Sequence, residues 1–188
     1  PAIMRSLEAS EGPFIWHKHG SFLEHLRDVW MMLANWEQPE SWCRLGLLHS
    51  AYSNSFVSMR LFDAEKDRDA VRALAGREAE ALIYKFCVID RQALEDVVLD
   101  EGRIRSEGYE SRHIRTGDAV TVSGAEAAAF VTETIADIMD QSFSWQSELE
   151  RGHCAALWPG PYAPTLRMSR ASRLARALGN SETGLSPR

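Results

Sequence analysis

The sequence predicts a single, mostly α-helical domain, a bundle of about five to seven helices. Apolar residues recur every three or four positions along most of the chain, which is the spacing of amphipathic helices. An extended segment is favoured near Val120 to Val122, so we also expect a short β-hairpin within residues 103–122. With 188 residues, 45% of them apolar, the chain can bury one core. We expect one domain over residues 1–178 and a flexible tail over residues 179–188.

The first two helices are predicted from apolar spacing and from residues typical of helix ends. A helix over residues 21–36, capped by Ser21, would bury one stripe of side chains: Leu23, Leu26, Trp30 and Leu33. Pro39 favours the first turn of a second helix, which carries Trp42 and Leu48 and should end near His49 or Ser50. The short link between them predicts a helical hairpin.

Residues 51–62 are rich in Ser, Asn and aromatics, which indicates a loop or short helical turns. A helix should then run from Glu65 to Ala75 and stop at Gly76, and another should continue to about Asp90. After the expected hairpin, Ser123 and Glu126 have the spacing of a capping box, which predicts a long helix to about Trp145. A last helix is expected over residues 169–178.

Charge and composition exclude several functional classes. The net charge of −6 disfavours nucleic-acid binding, and the arginines of the last helix, from Arg167 to Arg176, are expected to form a solvated face. No apolar run is long enough to span a bilayer and no signal segment is recognisable, so we expect a cytoplasmic protein without membrane contact. Cys43 and Cys87 are expected to be buried, reduced thiols. The oligomeric state is left open, with a homodimer as one option.

Four of the six histidines fall within the first fifty residues: His17, His19, His25 and His49. Because His25 lies near the middle of the first predicted helix and His49 ends the second, antiparallel packing can bring their imidazoles together. Packed or hydrogen-bonded histidines in a pocket without metal are the alternative interpretation. Exposed loop histidines are the simplest interpretation of His17 and His19.

The stretch "HLRDVWMMLANWEQPESWCRLGLLHS", from His25 to Ser50, resembles the first two core helices of HD-domain proteins, which begin with a ligand His and end in "LLHD". The gap of 24 residues between His25 and His49 is similar to that in the (p)ppGpp hydrolase branch, and "AGREAEALIYKFCVIDR" resembles a later helix of that branch. The resemblance covers residues 19–91 and implies an HD-like helical bundle. The chain is also similar to small, uncharacterised HD-like bacterial proteins with His-Ser followed by an aromatic residue.

The resemblance implies a ligand set for a divalent Fe, Mn or Zn ion. His25 and His49 take the positions of the two ligand histidines, and "TIADIMDQ" places Asp137 where the family's last ligand stands. His19 is a candidate fourth ligand. Ser50 stands where the family has an aspartate that often bridges two ions, so a mononuclear centre is favoured over a dinuclear one.

Further residues are candidates for catalysis or for binding a small-molecule substrate. Asp140, one turn after Asp137, could accept a proton; Tyr52 could line the pocket; Arg60 or Arg72 could hold an anionic group. Surface ion pairs with Glu78 and Glu80 are the alternative interpretation of Arg72.

The family default is a metal-dependent hydrolase that cleaves a phosphoester or related bond. A mononuclear non-heme iron oxygenase with the same ligands is one alternative. A metal-free binding or interaction module, as Ser50 suggests, is the other.

Overall fold

The computed structural model of the chain describes residues 16–17, 20–56, 61–143 and 164–181. Within these residues the chain forms seven helices and two short antiparallel strand pairs. A mostly α-helical fold with one short β-hairpin in the second half of the chain is therefore confirmed. None of the helices in the described ranges is long and apolar enough to cross a membrane.

The predicted helical hairpin is present, as α1 (Phe22–Asn35) and α2 (Glu40–Leu48). Helix α1 buries a stripe that includes Leu26, Val29 and Leu33, and α2 packs against it. Gly46 permits this close approach, because a Cβ at its position would lie 2.5 Å from the Cδ1 of Leu33. A two-residue strand pair, β1 (Trp16–His17) with β2 (Gly20–Ser21), precedes α1.

Three shorter helices follow: α3 (Arg68–Ala75), α4 (Arg77–Val88) and α5 (Arg91–Glu101). Helix α3 begins three residues later than predicted, because the Asp63 carboxylate accepts from the Glu65 and Lys66 amides and holds residues 63–67 in a turn. Helix α5 was not predicted. Its first turn is capped by Asp90, whose side chain accepts from the Ala93 amide.

The predicted β-hairpin consists of β3 (Tyr109–Arg112) and β4 (Ala119–Val122), paired with Tyr109 opposite Val122. The capping box is also present, since the Ser123 amide donates to Glu126 Oε2 and the Glu126 amide donates to Ser123 Oγ. It opens α6 (Gly124–Phe143), the longest described helix. The predicted continuation to Trp145 lies outside the described residues.

The last helix, α7 (Pro164–Gly179), begins at Pro164, earlier than the predicted Ser169, because proline suits a first helical turn. Helix α7 packs against α5 and α6. Arg170 contacts Glu95 and Asp96 of α5 at 2.8 and 2.9 Å, so the prediction of a solvated arginine face is wrong at this position. Arg173 and Arg176 are exposed as expected. Of the expected tail, residues 182–188 lie outside the described ranges.

Candidate metal centre

Three distant segments bring His25, His49 and Asp137 to one point. His25 lies in the middle of α1, His49 directly follows α2, and Asp137 lies in α6, which packs against both helices. Both imidazoles are buried, with exposed fractions of 6% and 5%, whereas Asp137 is half-buried. The fold therefore encloses the two histidines and leaves the carboxylate nearer to solvent.

The separations of three side-chain atoms match those around one metal ion. His25 Nε2 lies 3.4 Å from His49 Nε2 and 3.2 Å from Asp137 Oδ1, and His49 Nε2 lies 4.0 Å from the same oxygen. A point equidistant from the three atoms, in their plane, therefore lies about 2.1 Å from each of them. Metal bonds to imidazole and carboxylate are roughly 2.0–2.2 Å long, so one ion can contact all three atoms.

Each imidazole is held by its other ring nitrogen. His25 Nδ1 lies 2.6 Å from Asp140 Oδ2, and His49 Nδ1 donates to the Gly46 carbonyl oxygen over 2.8 Å. Such contacts fix the tautomer in which Nε2 can bind a metal, and ligand histidines in metalloproteins usually have them. Both Nε2 atoms lie within 4.0 Å of Asp137 Oδ1. The set therefore includes both ligands and the groups that orient them.

The two imidazoles have opposite protonation preferences without an ion. Burial alone would lower the pKa of His25, but the adjacent Asp137 and Asp140 carboxylates raise it to about 9. Burial and the neighbouring charge of His25 lower the pKa of His49 to about 4. At neutral pH His25 is thus an imidazolium and His49 is neutral. A metal ion would take the place of the His25 proton.

The donor set suits a divalent cation. Two imidazole nitrogens with one carboxylate oxygen are ligands for Fe(II), Mn(II) or Zn(II). The Asp137 Oδ1 atom also accepts a hydrogen bond of 2.6 Å from Gln141 Nε2, one helical turn onward. Three protein ligands leave coordination positions open for water or substrate.

Ser50, which stands beside His49, does not supply a carboxylate. It is buried, and its hydroxyl accepts a hydrogen bond from Asn54 Nδ2 over 3.3 Å. Asn54 Nδ2 also lies 3.4 Å from the His49 carbonyl oxygen. Ser50 and Asn54 thus hold the turn that follows α2, which positions the His49 backbone.

The sequence analysis did not identify a buried glutamate and arginine, Glu133 and Arg91, near His49. Glu133 lies one helical turn before Asp137, is 1% exposed, and places Oε1 3.3 Å from His49 Nδ1. Arg91, also buried, places one guanidinium nitrogen 3.8 Å from Glu133 Oε2. Burial raises the pKa of Glu133 well above its usual range, and the Asp137 charge acts in the same direction. The signal in the sequence was the one-turn spacing of Glu133 and Asp137.

Tyr52 and Arg72 belong to a different cluster. Glu80 is 1% exposed and accepts from the Tyr52 hydroxyl, from Arg72 Nε and from two nitrogens of Arg68. Arg72 also donates to Asp69, on its own helix. The predicted Arg72–Glu80 pair is therefore present, but it is wrong as a surface pair because Glu80 is buried. The structure places Tyr52 and Arg72 around Glu80 and not among the three converging ligands.

Two predicted site residues, His19 and Arg60, lie outside the residues that the structure describes. Of the remaining metal candidates, the structure brings His25, His49 and Asp137 together. Asp140 joins them through His25.

Comparison with known proteins places one family on the first half of the chain. A family described as "Domain of unknown function (DUF6817)" matches residues 4–91, a segment that contains both candidate ligand histidines but ends before Asp137. Neither the curated proteins nor the solved structures gave a match to this chain.

Proposed function

We propose that the protein is a metal-dependent enzyme with a mononuclear centre at His25, His49 and Asp137, acting on a small molecule. The observation that carries this proposal is the spacing of the three ligand atoms, all within about 2.1 Å of one point. The groups on the far nitrogens of the two rings support it, because ligand histidines in metalloproteins usually have such partners.

Hydrolysis of a phosphoester or related bond is the reaction we favour. The resemblance of residues 19–91 to HD-domain proteins supports it, and Ser50 in place of the bridging aspartate favours one ion over two. When bound, a divalent ion would supply Lewis-acid activation of water or of a substrate oxygen.

Other residues of the chain orient the proposed ligands. Asp140 holds the His25 ring, and the Gly46 carbonyl holds the His49 ring, so that both Nε2 atoms keep their positions. Gln141 donates to Asp137 and orients its carboxylate. Because Asp140 Oδ2 contacts His25, we favour a role for Asp140 in orienting the His25 ring over a role as a proton acceptor. Arg60 stays the proposed contact for an anionic group.

A second function deserves a test because two histidines and one carboxylate are also the ligands of non-heme iron oxygenases. The same three side chains would then hold Fe(II), and the open positions would admit O₂ and substrate. The same ligand set serves this reaction and hydrolysis, so an activity assay distinguishes the two.

The test is elemental analysis of anaerobically purified protein, followed by activity assays. We expect one equivalent of Fe, Mn or Zn in the wild type and under a tenth of that in His25→Ala and Asp137→Ala. The matched control is His113→Ala, which removes a histidine of the β-hairpin segment and should keep the ion. Metal-dependent cleavage of p-nitrophenyl phosphate esters supports the hydrolase, whereas O₂ uptake by the iron-loaded protein supports the oxygenase. A wild type that retains no ion after incubation with each metal would favour the binding module.

A further inference from the structure

Glu133 is a buried acidic residue that is not among the ligands of the proposed metal centre. It is 1% exposed, and neither of its carboxyl oxygens has a hydrogen-bond partner. The same is true of Nε of the neighbouring Arg91, whose guanidinium stacks on the Phe86 ring at 3.9 Å. Buried polar atoms without partners destabilise a fold, so apolar residues of similar size at positions 133 and 91 together would be the more stable choice.

The position of Glu133 relative to His49 suggests what it does. Its Oε1 lies 3.3 Å from His49 Nδ1, slightly beyond hydrogen-bond length, and a shift of a few tenths of an ångström would complete the bond. Nδ1 already donates to the Gly46 carbonyl oxygen on α2, so its proton lies beside two acceptors from two helices. On the other ring, Asp140 lies beside His25 Nδ1. Each ligand imidazole thus has a carboxyl group of α6 beside its far nitrogen.

We propose that Glu133 is a positioning residue of the metal centre, which acts through His49. It keeps the His49 proton on Nδ1 and the ring plane directed so that Nε2 faces the ion. Arg91 keeps the Glu133 carboxyl group in place from the opposite side, at 3.8 Å. This inference rests on the proposed metal centre. It adds Glu133 to the three ligands and Asp140 as a side chain that metal binding requires.

A positioning role and a structural role predict opposite effects on the metal-free protein. Glu133→Leu alone would leave the buried Arg91 guanidinium without its carboxylate, so the variant to test is Glu133→Leu/Arg91→Met, which removes both members of the pair. In this double variant the Tm of the chelator-treated protein should be equal or higher. The affinity for Zn²⁺ should nevertheless fall about 10–100-fold, as for other partners of ligand histidines. Glu133→Gln retains an acceptor oxygen, so its Zn²⁺ affinity should lie within a few fold of the wild type.

Glu95 provides a matched control, because it is also a buried glutamate but has partners in Arg170 and Thr134. Glu95→Leu should lower the Tm and leave Zn²⁺ affinity unchanged. The measurements are thermal unfolding after chelation, Zn²⁺ titration against a competing chelator, and the visible spectrum of the Co²⁺-loaded protein, which should change in Glu133→Leu/Arg91→Met. Unchanged Zn²⁺ affinity in Glu133→Leu/Arg91→Met overturns the inference alone, and so does lost affinity accompanied by a lower Tm of the chelator-treated protein. A wild type that binds neither ion overturns the proposed function and the inference with it.

Discussion

Removal of the Asp140 carboxylate is the perturbation whose effect follows most directly from the geometry. Asp140→Ala leaves the three proposed ligand atoms in place but takes away the acceptor 2.6 Å from His25 Nδ1. The His25 ring then loses the contact that fixes its tautomer and its plane, although Asp137 still lies 3.2 Å from Nε2. Loss of such a partner typically weakens metal binding about 10–100-fold, which corresponds to about 1.4–2.8 kcal/mol.

The assay is competition for Zn²⁺ with a chromophoric chelator at pH 7. Asp140→Asn should fall between the wild type and Asp140→Ala, because its amide oxygen still accepts a hydrogen bond. Asp69→Ala is the control, since it removes the same charge from a side chain that is 94% exposed and pairs with Arg72. The reasoning is refuted if Asp140→Ala binds Zn²⁺ within twofold of the wild type, or if Asp69→Ala weakens binding equally.

The remaining predictions concern stability and reactivity. Burial tends to raise the pKa of Glu80, but its arginine partners hold the pKa below its usual 4.5, so their stabilisation is full above pH 4.5 and is lost as the pH falls below it. Glu80→Gln should therefore lower the free energy of unfolding by about 1–3 kcal/mol at pH 7, and by less near pH 3, in urea titrations. Gly108→Ala should destabilise by about 1–3 kcal/mol, because the residue has a φ of +88° and a Cβ there would lie 2.3 Å from the Val122 carbonyl oxygen. Gly102→Ala, with a φ of +65° and open space, should show the smaller effect in the same titration, and equal effects would contradict the clash. Burial raises the pKa of Cys87 to about 12, so in a Cys154→Ser protein a thiol reagent should label neither Cys43 nor Cys87 until urea unfolds the chain.

The sequence was informative where structure is decided locally. The α1–α2 hairpin, the capping box at Ser123 and the hairpin ending at Val122 all follow from short patterns of apolar spacing, caps and turn residues. The segment of α5 has a good cap in Asp90 and apolar residues at 94 and 98, but a helix of 11 residues with many charges gives a weak periodic signal. That helix was missed for this reason.

The site could be predicted only in part, because its members come from distant segments. His25 and His49 lie on one hairpin, so their approach follows from local packing, whereas Asp137 was identified through the resemblance alone. Glu133 lies one helical turn before Asp137, but it was missed because a glutamate inside a helix usually faces water. Its burial follows from α6 packing against α1 and α2, which no local pattern encodes.

The burial of Glu80 was likewise not predicted from the sequence. A surface ion pair with Arg72 was the expectation for Glu80, but Tyr52 and Arg68 approach from outside α4 and bury the carboxylate. The partners of a charged side chain, and hence its burial, depend on tertiary contacts that the sequence pattern does not specify.

X-ray absorption at the zinc K-edge, on protein loaded with one equivalent of Zn²⁺, tests the central claim most directly. We expect a first shell of nitrogen and oxygen at about 2.0–2.2 Å, with outer-shell scattering from two imidazole rings that falls to one ring in His49→Ala. A spectrum without imidazole scattering, or one with sulfur at about 2.3 Å, would contradict a centre built from His25, His49 and Asp137.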